Sequence, residues 1–202
     1  MHEPIPPDET EVKVMDTAEV VTEVKRCIPF IRGVTVSGGE CMLQTGFVEE
    51  LFSCLKPLGL TCLIDSNGTI PFAQNNRLLD LCDGVMLDVK AWDKSVYHSL
   101  TGAKDNNIVK DNLALLLKYD KLTEVRIVCL PHGASIQTDT ETILHHLAAI
   151  PEFISKQIPV RLLRFRPHGV VGELQSAPVP SEEQMQLYCN TATRLGLRFT
   201  VK

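Results

Sequence analysis

No apolar run in the 202-residue sequence approaches the roughly 18 residues that a membrane span requires. The amino terminus, Met1-His2-Glu3-Pro4, lacks the basic and then apolar order of a secretory leader. Both absences point to a cytoplasmic address. Net positive charge is lacking as well. The formal charge of −5 argues against a general nucleic-acid surface or an anionic membrane as partner, since both demand clustered Lys and Arg. Only Arg161, Arg164 and Arg166 could form a local basic patch. The seven cysteines, at 27, 41, 54, 62, 82, 129 and 189, include no C-x-x-C pair, so no zinc knuckle or thioredoxin-type site is visible. Several lie inside apolar runs, Cys62 and Cys129 among them, and read as buried, reduced thiols.

What is present is an ordinary globular mix, 44% hydrophobic and 22% charged, long enough for one domain with a real core. Residues 1–15 read as an irregular, Pro-rich lead-in and residues 16–202 as the domain. The domain repeats one theme: a short apolar run, a polar or Gly-rich turn, then an amphipathic helix. Strands are predicted over 33–37, 61–65, 84–89, 125–130, 160–165 and 198–201. Helices are predicted from Asp16 to about Phe30 with an Asp16/Glu19 capping box, after Thr45 as cap, near 72–81, over about 107–118, after Asp139 as cap, and after Ser181 with Gln184 as a second box. Strict alternation implies a parallel sheet with helices outside, and the apolar strands suggest that both sheet faces are covered. About five β/α units and a terminal strand fall short of the ≈ 250 residues of an eightfold barrel. The fold expected is α/β, either an open or partial barrel or a doubly wound sheet.

In both architectures ligands bind at the C-terminal ends of the strands. Those ends read Ser37-Gly38-Gly39-Glu40, Asp65-Ser66-Asn67-Gly68, Asp88-Val89-Lys90, Pro131-His132-Gly133 and Arg166-Pro167-His168-Gly169, with Arg126 inside the fourth strand. Each has a bland reading and a functional one. Gly38-Gly39 either lets the chain turn sharply or exposes backbone to a ligand's polar groups. Asp65 either belongs to a plain turn or accepts from a ligand hydroxyl, an ammonium or a cation. Asp88 and Lys90, two apart on a strand, share a face and either pair structurally or serve a ligand. Arg126 in an apolar strand needs an acidic partner or an anionic ligand. His132 and His168 could be loop residues only, and His145-His146 on a helix do not share a face.

Val34-Thr35-Val36-Ser37-Gly38-Gly39-Glu40, Asp65-Ser66-Asn67-Gly68 and Val85-Met86-Leu87-Asp88-Val89-Lys90, in this order and spacing, resemble the glycyl-radical-enzyme activases of the radical SAM type, pyruvate formate-lyase activating enzyme being the familiar member. The resemblance runs from about residue 17 to 202. It implies a partial (β/α)6 barrel that binds S-adenosylmethionine (SAM), with a 4Fe-4S cluster cleaving SAM reductively to a 5′-deoxyadenosyl radical that takes hydrogen from a partner glycine. It implies a glycyl radical enzyme as partner and an electron donor such as flavodoxin or ferredoxin. Carried over, Gly38, Gly39 and Glu40 would meet the SAM amino group. Lys90 and Arg126 would face the methionyl carboxylate, and His168 would contact SAM. Asp65, Ser66, Met86 and Asp88 would hold a monovalent cation.

One departure stands against the match. The family's C-x-x-x-C-x-x-C cluster motif is absent from this sequence. The chain is expected to lack the first barrel strand and the cluster loop, and to be unable to cleave SAM by itself. Two other classes stay open at this point: a lyase that uses Lys90 as a Schiff-base amine, and a non-catalytic barrel remnant that acts as a binding module. A missing first strand would bare a sheet edge, and bare edges associate. The chain is therefore expected to run as dimers or larger species in light scattering at high concentration; a clean monomer would contradict this.

Overall fold

In the computed structural model, residues 13–133, 139–170 and 172–202 are described. Six strands, β1 (Gly33–Val36), β2 (Thr61–Ser66), β3 (Gly84–Asp88), β4 (Leu122–Cys129), β5 (Val160–Arg164) and β6 (Phe199–Val201), form one sheet in the order β1-β2-β3-β4-β5-β6. Every neighbouring pair is parallel. Crossovers between parallel neighbours are almost always right-handed, so a strand order that never reverses puts the connecting helices on one face. A doubly wound sheet, which needs a reversal, is excluded. The architecture is the partial barrel.

Burial follows strand parity. Cys62, Ile64, Val85, Leu87, Val125, Ile127, Val160 and Leu162 are fully buried beneath the helices. The alternate residues, including Leu63, Asp65, Met86, Asp88, Arg126 and Arg161, are only half-buried. The expectation that both faces are covered is thus corrected: the inner face carries the charges. The alternation was masked because Leu63, Met86, Val128 and Leu163 make the inner face nearly as apolar in sequence as the outer one.

The helices are α1 (Thr17–Cys27), α2 (Thr45–Leu55), α3 (Asn76–Leu81), α4 (Lys94–Thr101), α5 (Asn107–Lys118), α6 (Thr140–Ala148), α7 (Pro151–Ser155) and α8 (Glu182–Arg194). The Asp16/Glu19 box caps α1 reciprocally. Pro29 then enters a 3₁₀ turn, Ile28–Phe30, which shortens the helix predicted to reach Phe30. Thr45 is the first residue of α2 rather than its cap, because a 3₁₀ turn, Cys41–Gln44, leads into it and is itself capped by Glu40. Phe52, Phe72, Phe153 and Tyr188 are among the largest fully buried side chains. Each contributes about 1.5–3 kcal/mol by leaving water.

Two helices were not expected. The connection after β3 holds α4, whose signal was the Asp93 cap on the Ser95 and Val96 amides rather than an apolar stripe. The short α7 begins at Pro151. Asp139 occupies the N-cap position of α6 but makes no cap bond there. Ser181 accepts from the Gln184 amide, whereas the Gln184 side chain donates to Leu130 O and Tyr188 Oη instead of completing a box. The 1–15 lead-in lies largely outside the described residues. No described helix is long and apolar enough to cross a membrane.

At the floor of the sheet, Asp83 accepts from Lys56 Nζ at 2.5 Å and from the Cys62 amide at 2.7 Å. Partial burial tends to raise the Asp83 carboxyl, but the bonds from Lys56 and Cys62 and the charges of Lys56 and Lys121 hold it below its ordinary value. A depressed carboxyl adds stability above its unfolded value, about 3.9, and loses it as pH falls through the folded one. The urea midpoint of Asp83→Asn should therefore lie below wild type at pH 6, with the gap closing as the pH falls below the unfolded value of about 3.9.

Candidate functional site

The register places the inner-face charges side by side. Asp65 and Met86 are Cα partners, as are Asp88 and Arg126, and Arg126 and Arg161. The Arg126 guanidinium lies between two carboxylates. Its Nε donates to Asp88 Oδ1 at 3.0 Å, its Nη1 to Asp65 Oδ2 at 2.8 Å, and its Nη2 to Asp65 Oδ1. Ser37 Oγ donates to the same Asp65 Oδ2 at 3.1 Å, which ties the end of β1 into the cluster. Lys90 Nζ reaches Asp88 Oδ2 at 3.4 Å, and 38% of its side chain remains exposed. Burial pushes the Asp88 carboxyl up despite Lys90, with Glu40 and Glu124 adding to the rise. Burial, helped by Arg161, pulls the Arg126 guanidinium down. Each charge is uncomfortable alone, and each lies against an opposite charge that offsets part of the cost of its burial.

Glu40 fastens the rim. Its Oε1 accepts from the Met42 amide and from Ser66 Oγ, and its Oε2 accepts from the Asn67 amide at 2.8 Å. The turn after β1 is thereby locked to the turn after β2. Gly38 and Gly39 have φ of +99° and +49°, a region that L side chains avoid, and a Cβ on either would meet nothing within 4 Å. Their backbone faces open space. Behind the second turn, Asn112 accepts from the Phe72 amide and donates to Gly68 O and Ile70 O, all at 2.9 Å.

Not every residue singled out from the sequence joins this cluster. Ser66 is buried on the opposite face from Asp65, where its Oγ serves Glu40 and the Gly68 amide. Met86 lies on the cluster's face. His168 is exposed on the loop after β5 and makes none of the cluster's hydrogen bonds. His132 is exposed beside Tyr188, and His146 stacks on Trp92. Arg161 pairs with Glu124 at 2.7 Å and Arg164 with Glu182 at 2.7 Å, which neutralises most of the anticipated basic patch. Glu124 is a buried inner-face carboxylate that the sequence reading passed over, and its Oε1 has no hydrogen-bond partner. Its signal was parity: it stands two residues before Arg126.

The cysteines do not converge. Cys41, Cys62, Cys82 and Cys129 are buried, and Cys27 and Cys54 are exposed. Burial raises the thiols of Cys41 and Cys62 to about 11 and that of Cys129 to about 12, away from the thiolate that metal ligation needs. Among the described residues no group of three or more His, Cys, Asp or Glu could hold a metal ion. The described residues therefore do not fit an iron–sulfur cluster.

Residues 4–133 match the Radical SAM superfamily. The chain belongs to that family. Radical SAM proteins are enzymes, and the curated relatives of this chain are activating enzymes. It is 28% identical over 216 residues to a protein of Haemophilus influenzae assigned as a glycyl-radical enzyme activating enzyme, a match covering 96% of this chain and 80% of the relative. It is 29% identical to pyruvate formate-lyase 2-activating enzyme of Escherichia coli K12, over 84% of this chain and 59% of that protein. Its fold is similar to the crystal structure of a domain of pyruvate-formate lyase-activating enzyme from Bacteroides vulgatus, with a TM-score of 0.67, 21% identity and coverage of 84% and 98%. The partial (β/α)6 barrel of this radical SAM chain is thus shared with the structural neighbour.

If the pairing described above holds the inner face together, Arg126→Met should lower unfolding stability by about 2–4 kcal/mol at neutral pH, because it strands two partly buried carboxylates. A double-mutant cycle with Asp65→Asn in urea should return a coupling of at least about 1 kcal/mol.

Proposed function

We propose that this chain forms the SAM-binding part of a glycyl-radical enzyme activase. The observation that supports the reading is the contact chain Gly38-Gly39, Ser37, Asp65, Arg126, Asp88, Lys90, which lines open backbone and two cations along one rim. SAM presents an ammonium, a carboxylate and ribose hydroxyls. The carbonyls of Gly38 and Gly39 would answer the ammonium, with Glu40 shaping that turn. Lys90 and Arg126 answer the carboxylate, and Asp65 serves as acceptor for the remaining donors. Lys90 has donors to spare, since its one ion pair is long. His168 lies on the neighbouring strand-end loop and would have to fold inward to touch SAM.

A monovalent cation at Asp65, Ser66, Met86 and Asp88 would share its two carboxylates with Arg126, which donates to both. The Ser66 hydroxyl faces away from it, and Met86 is level with it. In the resembling activases a 4Fe-4S cluster supplies the electron that opens SAM. A glycyl radical enzyme as partner and a flavodoxin or ferredoxin as donor belong to the same proposal.

A second reading is a barrel that binds SAM or a partner without chemistry, favoured by the absence of a metal-ligand group among the described residues. The Schiff-base lyase loses ground, because Lys90 is half-exposed and ion-paired rather than desolvated in an apolar pocket.

Calorimetric titration with SAM tests the proposal. The chain should bind SAM, and Asp65→Ala should weaken binding by about tenfold, the cost of one charge-assisted bond. A folded sample that binds no SAM would sink the reading. Release of 5′-deoxyadenosine under reducing conditions, by the protein purified anaerobically as its cell makes it, separates the activase from the silent binder.

A further inference from the structure

The loop that carries Lys90 is held from every side. Val89 N donates to Arg126 O at 2.9 Å. Asn106 Nδ2 donates to Ala91 O and to Trp92 O, both at 2.9 Å. Asp139 Oδ2 accepts from the Trp92 amide and, at 2.6 Å, from the Asp93 amide. The Trp92 ring stacks on His146 with centroids 4.5 Å apart and planes 12° apart, and Lys110 Nζ stands 5.0 Å from its centroid.

Asn106 and Asp139 occupy the N-cap positions of α5 and α6, yet neither side chain caps its own helix. A side-chain cap is worth about 0.5–2 kcal/mol. Both helices forgo it, and both side chains turn to the same loop. Asn106 is 2% exposed and Asp139 8%, so each is a buried polar group whose bonds are committed there. Lys90, by contrast, has one long side-chain contact among the described residues, to Asp88 at 3.4 Å. Its aim follows its backbone, which the Val89 N to Arg126 O bond holds on the strand side and which Asn106 and Asp139 hold on the other, through Ala91, Trp92 and Asp93.

We propose that Asp139 and Asn106 are positioning residues that hold the Val89–Asp93 loop so that Lys90 is aimed at the carboxylate of the bound substrate. The proposal rests on the SAM reading above. Asp139 supplies one oxygen for two backbone amides, which Asn can imitate and Ala cannot. Misplacing a charged group by about 1 Å is enough to lose up to a hundredfold.

The test compares SAM affinity of the whole chain, by calorimetry, in Lys90→Met, Asp139→Ala, Asp139→Asn and the Lys90→Met/Asp139→Ala pair. Trp92, the chain's one tryptophan, reports loop position by its emission. The expected result is an approximately tenfold weakening in Asp139→Ala with altered Trp92 emission, near-complete retention in Asp139→Asn, and less than about a twofold further loss when Asp139→Ala is added to Lys90→Met. Equal losses from Asp139→Ala with and without Lys90 would overturn the proposal, since a general structural defect does not act through one side chain. Lys90→Met weakening SAM while Asp139→Ala does not would overturn it alone. Lys90→Met leaving SAM binding unchanged would overturn both the SAM role of Lys90 and this proposal. Should Asp139→Ala fail to fold, Asn106→Ala takes its place in every arm with the same outcomes.

Discussion

Asp88 and Arg126 face each other across the parallel register of β3 and β4, and the rest of the inner face is arranged around that contact. Arg126 extends past Asp88 to Asp65 on β2, so one guanidinium spans three strands. Desolvating charges costs several kcal/mol per ion unless they are paired. The contacts within the cluster therefore offset the desolvation of the charges that the inner face gathers. Glu40 and Ser37 bring β1 into it, and Lys90 extends it along the loop after β3. A molecule that binds here meets charges already oriented by each other, which lowers the reorganisation it must induce.

The strands and most helices were legible because apolar runs bounded by Gly, Pro and polar turns carry their own signal. The rule that ligands gather at strand ends led directly to Asp65, Asp88, Lys90 and Arg126. What escaped has identifiable causes. Glu124 sits inside β4 between Thr123 and Val125, where only its two-residue offset from Arg126 betrays its face. Ser66 was grouped with Asp65 by the family resemblance, although the side chains of neighbours on a strand point to opposite sides. Asp139 was read as a helix cap because the local pattern of a cap does not distinguish an acidic side chain that bonds its own helix from one that bonds a distant loop. Helix α4 was missed because its start is written in one capping side chain rather than in an apolar stripe.

The glycine pair at the end of β1 shows how strand-end chemistry and family membership meet. Backbone with left-handed φ and empty space beside it is what a close-approaching ligand requires. By themselves those features suit many ligands. Placed beside two cations and two carboxylates in a radical SAM barrel, they are the features on which the SAM proposal rests. Cys41 touches this rim, its Sγ donating to Asp65 O at 3.3 Å, while Cys62, Cys82 and Cys129 are buried as small apolar residues.

The one-sided winding of the sheet gives the charged residues a second task during folding. Strand side chains alternate, so a slip of a single residue in β2, β3 or β4 would exchange the two faces. Asp65, Asp88 or Arg126 would then enter the dry layer now filled by Ile64, Leu87 and Ile127, and would arrive there without partners. Slipped sheets of this kind are penalised far more heavily than an all-apolar inner face would allow. The charged groups of the inner face thus proofread the alignment of the strands that present them.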